Sequence, residues 1–175
     1  MRVNDTYKYV VMYLNAKTAT CFITGHTTGL GKAMFNHMVS KGYLVKGFSH
    51  SNGYNLENDF DKICAEIKGA DIFINNAYAN GIQLDYLKRL KTDVKKMIIC
   101  GSISGFDTKD GKYSADKAAL IKEVNDNAGV KNEGLSDMLL LNLSSSAYSD
   151  QSAILKLIDY WLENPTLLQA TFDIR

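Results

Sequence analysis

The stretch TGHTTGLG at residues 24–31 decides the fold, because it joins a β-rich run to a helical one. The run that leads into it, Ala19–Thr24 (ATCFIT), is apolar and β-branched, which is typical of a buried strand. After the stretch, residues recur at the spacing of one helix face, the apolar Leu30, Ala33, Met34 and Met38 together with His37. The sequence therefore predicts a strand, a tight glycine-rich turn and a helix that ends at Gly42.

The three glycines of this turn have separate physical uses. Gly25 allows a tight turn, Gly29 lets the backbone approach a pyrophosphate, and Gly31 lets the helix pack closely on the sheet. Phosphates are favoured at a helix N-terminus, where unpaired N–H groups and the positive end of the helix dipole meet them. The turn therefore predicts a dinucleotide site. An ordinary strand–helix turn is the alternative interpretation.

The rest of the chain alternates β-rich and helical stretches, which predicts a single doubly wound α/β domain with six or seven parallel strands. The further predicted strands are Tyr43–Phe48, Ala70–Asn75, Lys96–Cys100, Met138–Leu143 and a closing strand near Leu168–Ile174. The predicted helices are Glu57–Lys68, Leu84–Leu90, Asp110–Ala128 and Asp150–Glu163. A very short strand is also predicted around Tyr54–Leu56, although only Ser49–Gly53 precedes it and a parallel crossover normally needs about a dozen residues. Residues 1–17 form an N-terminal extension, either an edge strand or an arm onto a neighbouring subunit, and residues 18–175 form the domain.

Composition excludes several classes of protein. The 175 residues carry a net charge of +1 without a dense Lys/Arg stretch, so we expect no nucleic-acid partner. No apolar run approaches the ~20 residues of a membrane span, and the N-terminal apolar stretch is too short for a secretory signal. The cysteines are odd in number and lie in apolar contexts without a CxxC pair, at Cys21, Cys64 and Cys100. We therefore expect reduced thiols in a cytoplasmic protein, and we expect no metal site.

Four segments in chain order resemble the short-chain dehydrogenase/reductase family. Residues 24–31 match its TGxxxGxG fingerprint, Asn75-Asn76-Ala77-Tyr78 resembles NNAG with Tyr in place of Gly, and Tyr113–Lys117 (YSADK) matches YxxxK. Gly101–Gly105 (GSISG) stands where the family carries its catalytic serine. The resemblance covers roughly residues 18–174 and implies a Rossmann-like, three-layer fold. It also implies an NAD(P)-dependent oxidoreductase that interconverts a carbonyl and an alcohol by hydride transfer. Extended-branch nucleotide-sugar epimerases share YxxxK, but this length leaves no room for their sugar-nucleotide domain.

Tyr113 and Lys117 are four residues apart on a predicted helix, so both leave the same face. That face continues into the core through Leu120, Ile121, Val124 and Ala128. We therefore expect the pair at the inner edge of the sheet, out of solvent. An ammonium about 4 Å from a phenolate stabilises it by about 4 kcal/mol at an effective dielectric of ~20, which favours acid–base chemistry by Tyr113. By resemblance, Ser102, which stands three before Gly105, holds the substrate oxygen, and Lys117 holds the nicotinamide ribose. Without the other motifs, a solvated Tyr–Lys contact is the alternative.

The end of the second strand bears on the choice of cofactor. NAD-preferring members of the family carry an acidic residue there, whereas this chain has Ser49 followed by His50 and Ser51. We expect NADP in preference to NAD, although no Arg or Lys stands ready to bind a 2′-phosphate. Asn55-Leu56 resembles the family's Asp-Val pair beside the adenine. The expected cofactor-binding residues are Gly25, His26, Thr27, Thr28, Gly29, Leu30, Gly31, Ser49, His50, Asn55, Leu56, Asn75, Asn76, Ala77, Tyr113, Lys117 and Ser144.

The chain is shorter than the usual family core. The helix between the second and third strands is absent, the position of a catalytic asparagine is lost before Ser102, and Asn142–Ser146 replaces a Pro-Gly turn and the segment that covers the substrate. We therefore expect a shallow site for a bulky small-molecule or carrier-borne substrate, or one completed by a second subunit. Helices Leu84–Leu90 and Asp110–Ala128 resemble the pair through which relatives form homodimers. Two other readings stay open: an NADP(H)-binding sensor with little turnover, and a relative that binds neither dinucleotide nor substrate.

Overall fold

A parallel sheet forms the centre of the computed structural model, which describes residues 18–106, 111–128, 134–144 and 151–165 and the backbone of 169–172. Within these residues the sheet has six strands in the order β2-β1-β3-β4-β5-β6. The strands are β1 (Thr20–Thr24), β2 (Leu44–Phe48), β3 (Ile72–Asn75), β4 (Lys96–Ser102), β5 (Asp137–Leu143) and β6 (Gln169–Phe172). The doubly wound parallel architecture expected from the sequence is confirmed.

Helices cover both faces of this sheet and give three layers. They are α1 (Gly29–Ser40), α2 (Phe60–Ile67), α3 (Ile82–Leu90), α4 (Lys112–Ala128) and α5 (Gln151–Glu163). Side chains alternate across a strand, so Phe73 joins the core beneath α2, α3 and α4, whereas Ile72 and Ile74 join the core beneath α1 and α5. The second core also buries Trp161 of α5 completely. These two apolar layers hold the strand ends in fixed positions.

The order of the strands places the candidate site. β1 pairs with β2 on one side and with β3 on the other, so the direction of strand addition reverses between β1 and β3. In register, Thr24 lies opposite Phe48, and Ser102 lies opposite Leu143. The segments that follow β1, β3 and β4 therefore meet at one edge of the sheet. This edge, beside a reversal of strand order, is where open α/β sheets bind their ligands.

Some predicted elements differ from the structure. The expected strand at Tyr54–Leu56 is wrong, because the segment is a turn in which Asn55 Oδ1 accepts hydrogen bonds from the backbone N–H groups of Glu57 and Asn58. α2 accordingly begins at Phe60 rather than at 57, and α3 begins at Ile82 rather than at 84. The predicted extension over residues 1–17, and the predicted start of a helix at 110, lie outside the described residues.

The three cysteine thiols are free and buried. Burial raises the pKa of the thiols of Cys21 and Cys100 to about 12 and that of Cys64 to about 11. These groups therefore stay protonated at neutral pH and behave as small apolar side chains. Within the described part of the chain, every helix is too short or too polar to cross a lipid bilayer.

Candidate functional site

The glycine-rich turn is tight, and its two ends, Gly25 and Gly31, lie close together. Gly25 has φ +71° and donates its backbone N–H to the Phe48 carbonyl at 2.8 Å. A Cβ at Gly31 would lie 2.0 Å from the Gly25 carbonyl oxygen, so only glycine allows α1 to start this close to β1. The expected close packing at Gly31 therefore agrees with the geometry.

The N-terminus of α1 is suited to an anion. Thr28, at the N-cap, makes no side-chain capping bond, and the first turn of α1 contains no acidic residue. Gly29 has φ +52°, and a Cβ built there meets nothing within 4 Å. The first helical turn of α1 thus lacks a side-chain cap and an acidic residue at the positive end of the helix dipole, where a phosphate is stabilised.

The loop after β3 is fastened to the glycine turn by hydrogen bonds. Thr24 Oγ1 accepts the backbone N–H groups of Asn76 and Ala77, each at 3.1 Å. Asn76 Nδ2 donates to the carbonyls of Thr24 at 3.0 Å and Gly25 at 3.2 Å. These bonds hold the segment Asn76-Ala77 next to the glycine-rich turn.

A cleft of about 340 Å³ joins the turn to the Tyr–Lys pair of α4, and its volume lies in the range of small-molecule sites. Its lining residues are Gly25, Thr28, Gly29, Leu30, Gly31, Asn76, Ala77, Tyr78, Cys100, Tyr113 and Lys117. Nine of these eleven are residues that the sequence singled out for catalysis or cofactor binding, and Tyr78 and Cys100 are the additions.

Lys117 lies at the inner end of this cleft, where its side chain is only 3% exposed. Its Nζ donates to Gln83 Oε1 at 2.5 Å and to the Cys100 carbonyl at 2.9 Å. The same nitrogen lies 5.6 Å from the ring centroid of Tyr78 and 5.6 Å from that of Tyr113. Burial lowers the pKa of Lys117 from 10.5 to about 8, so the ammonium form still predominates at neutral pH.

Gln83 is a site residue that the sequence reasoning missed. Its Nε2 donates to the carbonyls of Asn75 at 2.9 Å and Cys100 at 3.1 Å, which turns Oε1 toward the Lys117 ammonium. The sequence pattern could have indicated a buried polar role for Gln83, because Gln83 shares the inward face of α3 with Tyr86, Leu87 and Leu90. A buried amide on an apolar helix face needs hydrogen-bond partners.

Tyr113 and Tyr78 form the outer wall of the cleft. Tyr113 is 38% exposed, whereas the sequence led us to expect both Tyr113 and Lys117 out of solvent. The reason is that Tyr113 lies in the first turn of α4, one turn nearer to solvent than Lys117. The two rings meet edge to face, with centroids 4.8 Å apart at 76°. Tyr78 OH donates to Asp116 Oδ2 at 2.9 Å, and Lys112 Nζ pairs with the same carboxylate oxygen at 2.6 Å.

Ser102 is the last residue of β4. It is nearly buried, and its Oγ lies 2.9 Å from Ser104 Oγ, so the two serines that the sequence offered form one hydrogen-bonded pair. Ser102 is not one of the cleft-lining residues named above. Ser144, at the end of the neighbouring β5, is buried as well.

His26, expected to face a pyrophosphate, turns its side chain away from the cleft. Its ring packs on β2, where a Cβ at Gly47 would lie 2.1 Å from His26 Cγ, and its centroid is 5.1 Å from that of Phe35. Burial lowers the pKa of this imidazole. Thr27, the next residue of the turn, is exposed.

Asn75, expected to line the groove, is fully buried and donates through Nδ2 to the Gln83 carbonyl at 2.8 Å. Leu56, expected beside the adenine, joins the core, and its carbonyl accepts a bond from Tyr86 OH at 2.8 Å. Asn55 Oδ1 is used by its own turn, as described above. The side chains of Asn75, Leu56 and Asn55 therefore make contacts within the protein, and this differs from the cofactor-binding roles expected for them.

At the end of β2, Ser49 caps the 3₁₀ turn His50–Asn52 together with Asn52, and His50 is exposed. The adenosine side of the expected site thus consists of small polar groups. His37, on the helix face named in the sequence, forms a hydrogen bond with Asp159 of α5 at 2.7 Å. The described part of the chain contains no group of three or more His, Cys, Asp or Glu side chains placed to hold a metal ion.

No protein-family model and no curated protein sequence matches the chain. Solved structures do match its fold. The bulky-bulky ketone specific alcohol dehydrogenase from Comamonas testosteroni has TM-score 0.70 and 14% identity over 89% of this chain and 86% of its own. A short chain dehydrogenase from Burkholderia cenocepacia in complex with NADP has TM-score 0.64 and 13% identity over 89% and 96%. The NADH-dependent reductase A1-R′ complexed with NAD has TM-score 0.67 and 16% identity over 90% and 95%. The chain therefore has the fold of the short-chain dehydrogenases.

Proposed function

We propose that the protein is an NAD(P)-dependent oxidoreductase that interconverts a carbonyl and an alcohol by hydride transfer. The observation that carries the proposal is the cleft in which an uncapped glycine turn and the pair Tyr113 and Lys117 line the same walls. The solved structures of similar fold that hold NADP and NAD support this class of cofactor.

The residues present fit a dinucleotide. The uncapped N-terminus of α1 at Thr28 and Gly29 lines the cleft and suits its pyrophosphate, and Asn76 and Ala77 line the adjoining wall. We propose NADP over NAD, because residues 49–53 offer hydroxyl and imidazole groups to a 2′-phosphate and no carboxylate to repel it. Titration with both reduced dinucleotides tests the preference, and NADH binding at least about tenfold tighter than NADPH contradicts it. When bound, the nicotinamide supplies or accepts the hydride.

The protein's own residues then move the proton. The phenol of Tyr113 gives its proton to the substrate oxygen in reduction and takes it back in oxidation. The Lys117 ammonium, 5.6 Å from the Tyr113 ring centroid in a buried position, favours the negative charge that develops on the phenol oxygen. Ser102 donates a hydrogen bond to the same substrate oxygen. Gln83 keeps the lysine in place.

One observation favours a second candidate, an NADP(H)-binding sensor with little turnover. Lys117 Nζ is already bonded to Gln83 Oε1 and to the Cys100 carbonyl, and the Tyr78 ring centroid lies 5.6 Å from it. A ribose hydroxyl can use this lysine only by sharing or replacing these bonds. A chain that keeps both bonds binds a dinucleotide without completing the catalytic arrangement.

Tyr113→Phe separates the two candidates. NADPH oxidation is followed with a panel of aldehydes, ketones and quinones, and dinucleotide affinity is measured by titration. We expect the variant to lose about 10²–10⁴-fold in kcat, the range of a general acid, with Kd changed less than about twofold. Tyr160→Phe, an exposed tyrosine on α5, is the matched control and keeps full activity. Turnover that survives in Tyr113→Phe refutes the role of the phenol, and binding without turnover across the panel supports the sensor.

We also propose that residues 18–175 form the dinucleotide-binding domain, with 1–17 as an extension, and that the protein is a cytoplasmic homodimer. Three free buried thiols support a reducing compartment. The resemblance of α3 and α4 to the helix pair through which relatives form homodimers supports the dimer. We propose a small-molecule or carrier-borne carbonyl or alcohol as the substrate. Sedimentation velocity tests the dimer.

A further inference from the structure

The outermost strand of the described sheet is β2, which pairs there only with β1. The segment expected to form a strand after it, residues 54–56, is a turn instead. Within the described residues, the side of β2 that faces away from β1 therefore has no neighbouring strand. An unpaired strand edge presents backbone N–H and C=O groups to which a further strand can bind.

The backbone groups on this free side can be identified from the pairing. The N–H of Leu44 donates to the Ala19 carbonyl of β1's side at 3.0 Å, so the alternate residues, Val45 and Gly47, direct their backbone groups away from β1. Asn52 Nδ2 donates to the Gly47 carbonyl at 2.8 Å. Within the described part of the chain, three outward groups are left without a partner: the N–H and C=O of Val45 and the N–H of Gly47.

The side chains of β2 do not protect this edge. Proteins often block a strand edge with a charged side chain or a proline. The one charged residue of β2 is Lys46, whose ammonium pairs with Glu66 of α2 and lies 5.4 Å from the ring centroid of Tyr54. Leu44 is 61% exposed, the highest value among the large apolar side chains of the described residues. A strand added beside β2 would cover part of this leucine.

The chain contains a strand-forming segment that leads to this edge. Residues 6–14 (TYKYVVMYL) are rich in aromatic and β-branched residues, the types enriched in strands, and contain no glycine or proline. The described part of the chain begins at residue 18. The bond between the Ala19 carbonyl and the Leu44 N–H places this beginning beside the first residue of β2.

The connection between this segment and Ala19 is long enough to reach the free edge. The four residues 15–18 span at most about 14 Å when extended. The position beyond β2 lies two strand spacings from β1, about 10 Å. Because the segment would end next to the start of β2, it has to run antiparallel to β2, and a parallel arrangement would need a connection of about a dozen residues.

We propose that residues 6–14 form an additional strand that pairs antiparallel with β2 and closes this edge of the sheet. The β2 edge of a second copy is a weaker occupant, because three free backbone groups and one exposed leucine offer little to a separate molecule. Its association also costs translational and rotational freedom. A segment already joined to β1 avoids most of that cost.

Backbone hydrogen exchange followed by NMR tests this pairing, because it reports on single amides and needs neither cofactor nor substrate. We expect the Val45 amide to exchange at least about tenfold more slowly in the natural protein than in a variant without residues 1–14. The amide of Phe73, in the central strand β3, is the internal control and reports any loss of stability of the whole fold. Rapid exchange of Val45 in the natural protein overturns the proposal.

Two proline variants test the pairing without removing the segment. Successive amides of a strand point to opposite sides, so one of Val10 and Val11 has to face β2. We expect at least one of Val10→Pro and Val11→Pro to speed Val45 exchange about tenfold, because proline has no N–H to donate. Asp5→Pro, which lies just before the segment, is the matched control and leaves this exchange unchanged.

Two further outcomes contradict the added strand. The first is Val45 exchange that neither proline variant changes. The second is protection of Val45 that survives removal of residues 1–14, and an increase of that protection with protein concentration would assign the edge to a second copy.

Discussion

The buried ammonium of Lys117 has a stability cost that depends on pH, and Lys117→Met measures it. Burial holds the pKa of this lysine at about 8, below its ordinary value of 10.5. Because a tenfold change in an equilibrium constant is about 1.4 kcal/mol, this difference corresponds to about 3 kcal/mol against the folded state at low pH. As pH rises past 8, the folded protein releases the proton while the unfolded chain still holds it. The cost therefore disappears toward pH 10.5.

Methionine fills a similar space and carries no charge, so the variant lacks this pH dependence. We expect the free energy of unfolding of the natural protein to rise by about 2.5 kcal/mol relative to Lys117→Met between pH 7 and pH 10. Urea unfolding at four pH values across that range measures both proteins. Lys122→Met, an exposed lysine on the same helix with 75% of its side chain in solvent, is the control and shows no such rise. Parallel curves for the natural protein and Lys117→Met would refute the argument that Lys117 is held charged at a cost.

Two further substitutions test the fold around the site. Gly31→Ala places a Cβ 2.0 Å from the Gly25 carbonyl oxygen and should cost about 3 kcal/mol in urea unfolding, whereas Gly29→Ala meets open space and should cost only about 1–2 kcal/mol for its positive φ. Equal losses would contradict the packing argument. Asp71, whose pKa the bond from Lys95 and those from Thr20 lower to about 2, contributes stability above pH 4 that is lost as pH falls toward 2. Relative to Asp71→Asn, the natural protein should lose about 1 kcal/mol between pH 5 and pH 3, and an unchanged difference would count against the ion pair.

The parts of the site that could be predicted are those that backbone geometry demands. Gly25 and Gly31 are required by a turn that no other residue permits, and the four-residue spacing of Tyr113 and Lys117 follows from the helix itself. Each of these signals is local. The sequence could therefore place the turn and the pair, and the order of the strands then brought them together.

The rest depended on contacts between distant residues. His26 turns onto β2 because the absent side chain of Gly47 leaves room for its ring, and no pattern near residue 26 shows that space. Gln83 reaches Lys117 across two elements, so its role emerges only when α3 and α4 are packed side by side. The mistaken strand at 54–56 came from apolar residues whose backbone groups are used by the Asn55 turn instead.

The ring of His26 fills the space that a side chain at position 47 would need, since a Cβ at Gly47 would lie 2.1 Å from the imidazole. The two positions cannot vary separately. A chain of this fold with a larger residue at position 47 must carry a smaller one at position 26, or else its first turn must move away from the second strand. Paired variation at these sites would therefore let distant relatives be aligned even where the glycines of the turn have drifted.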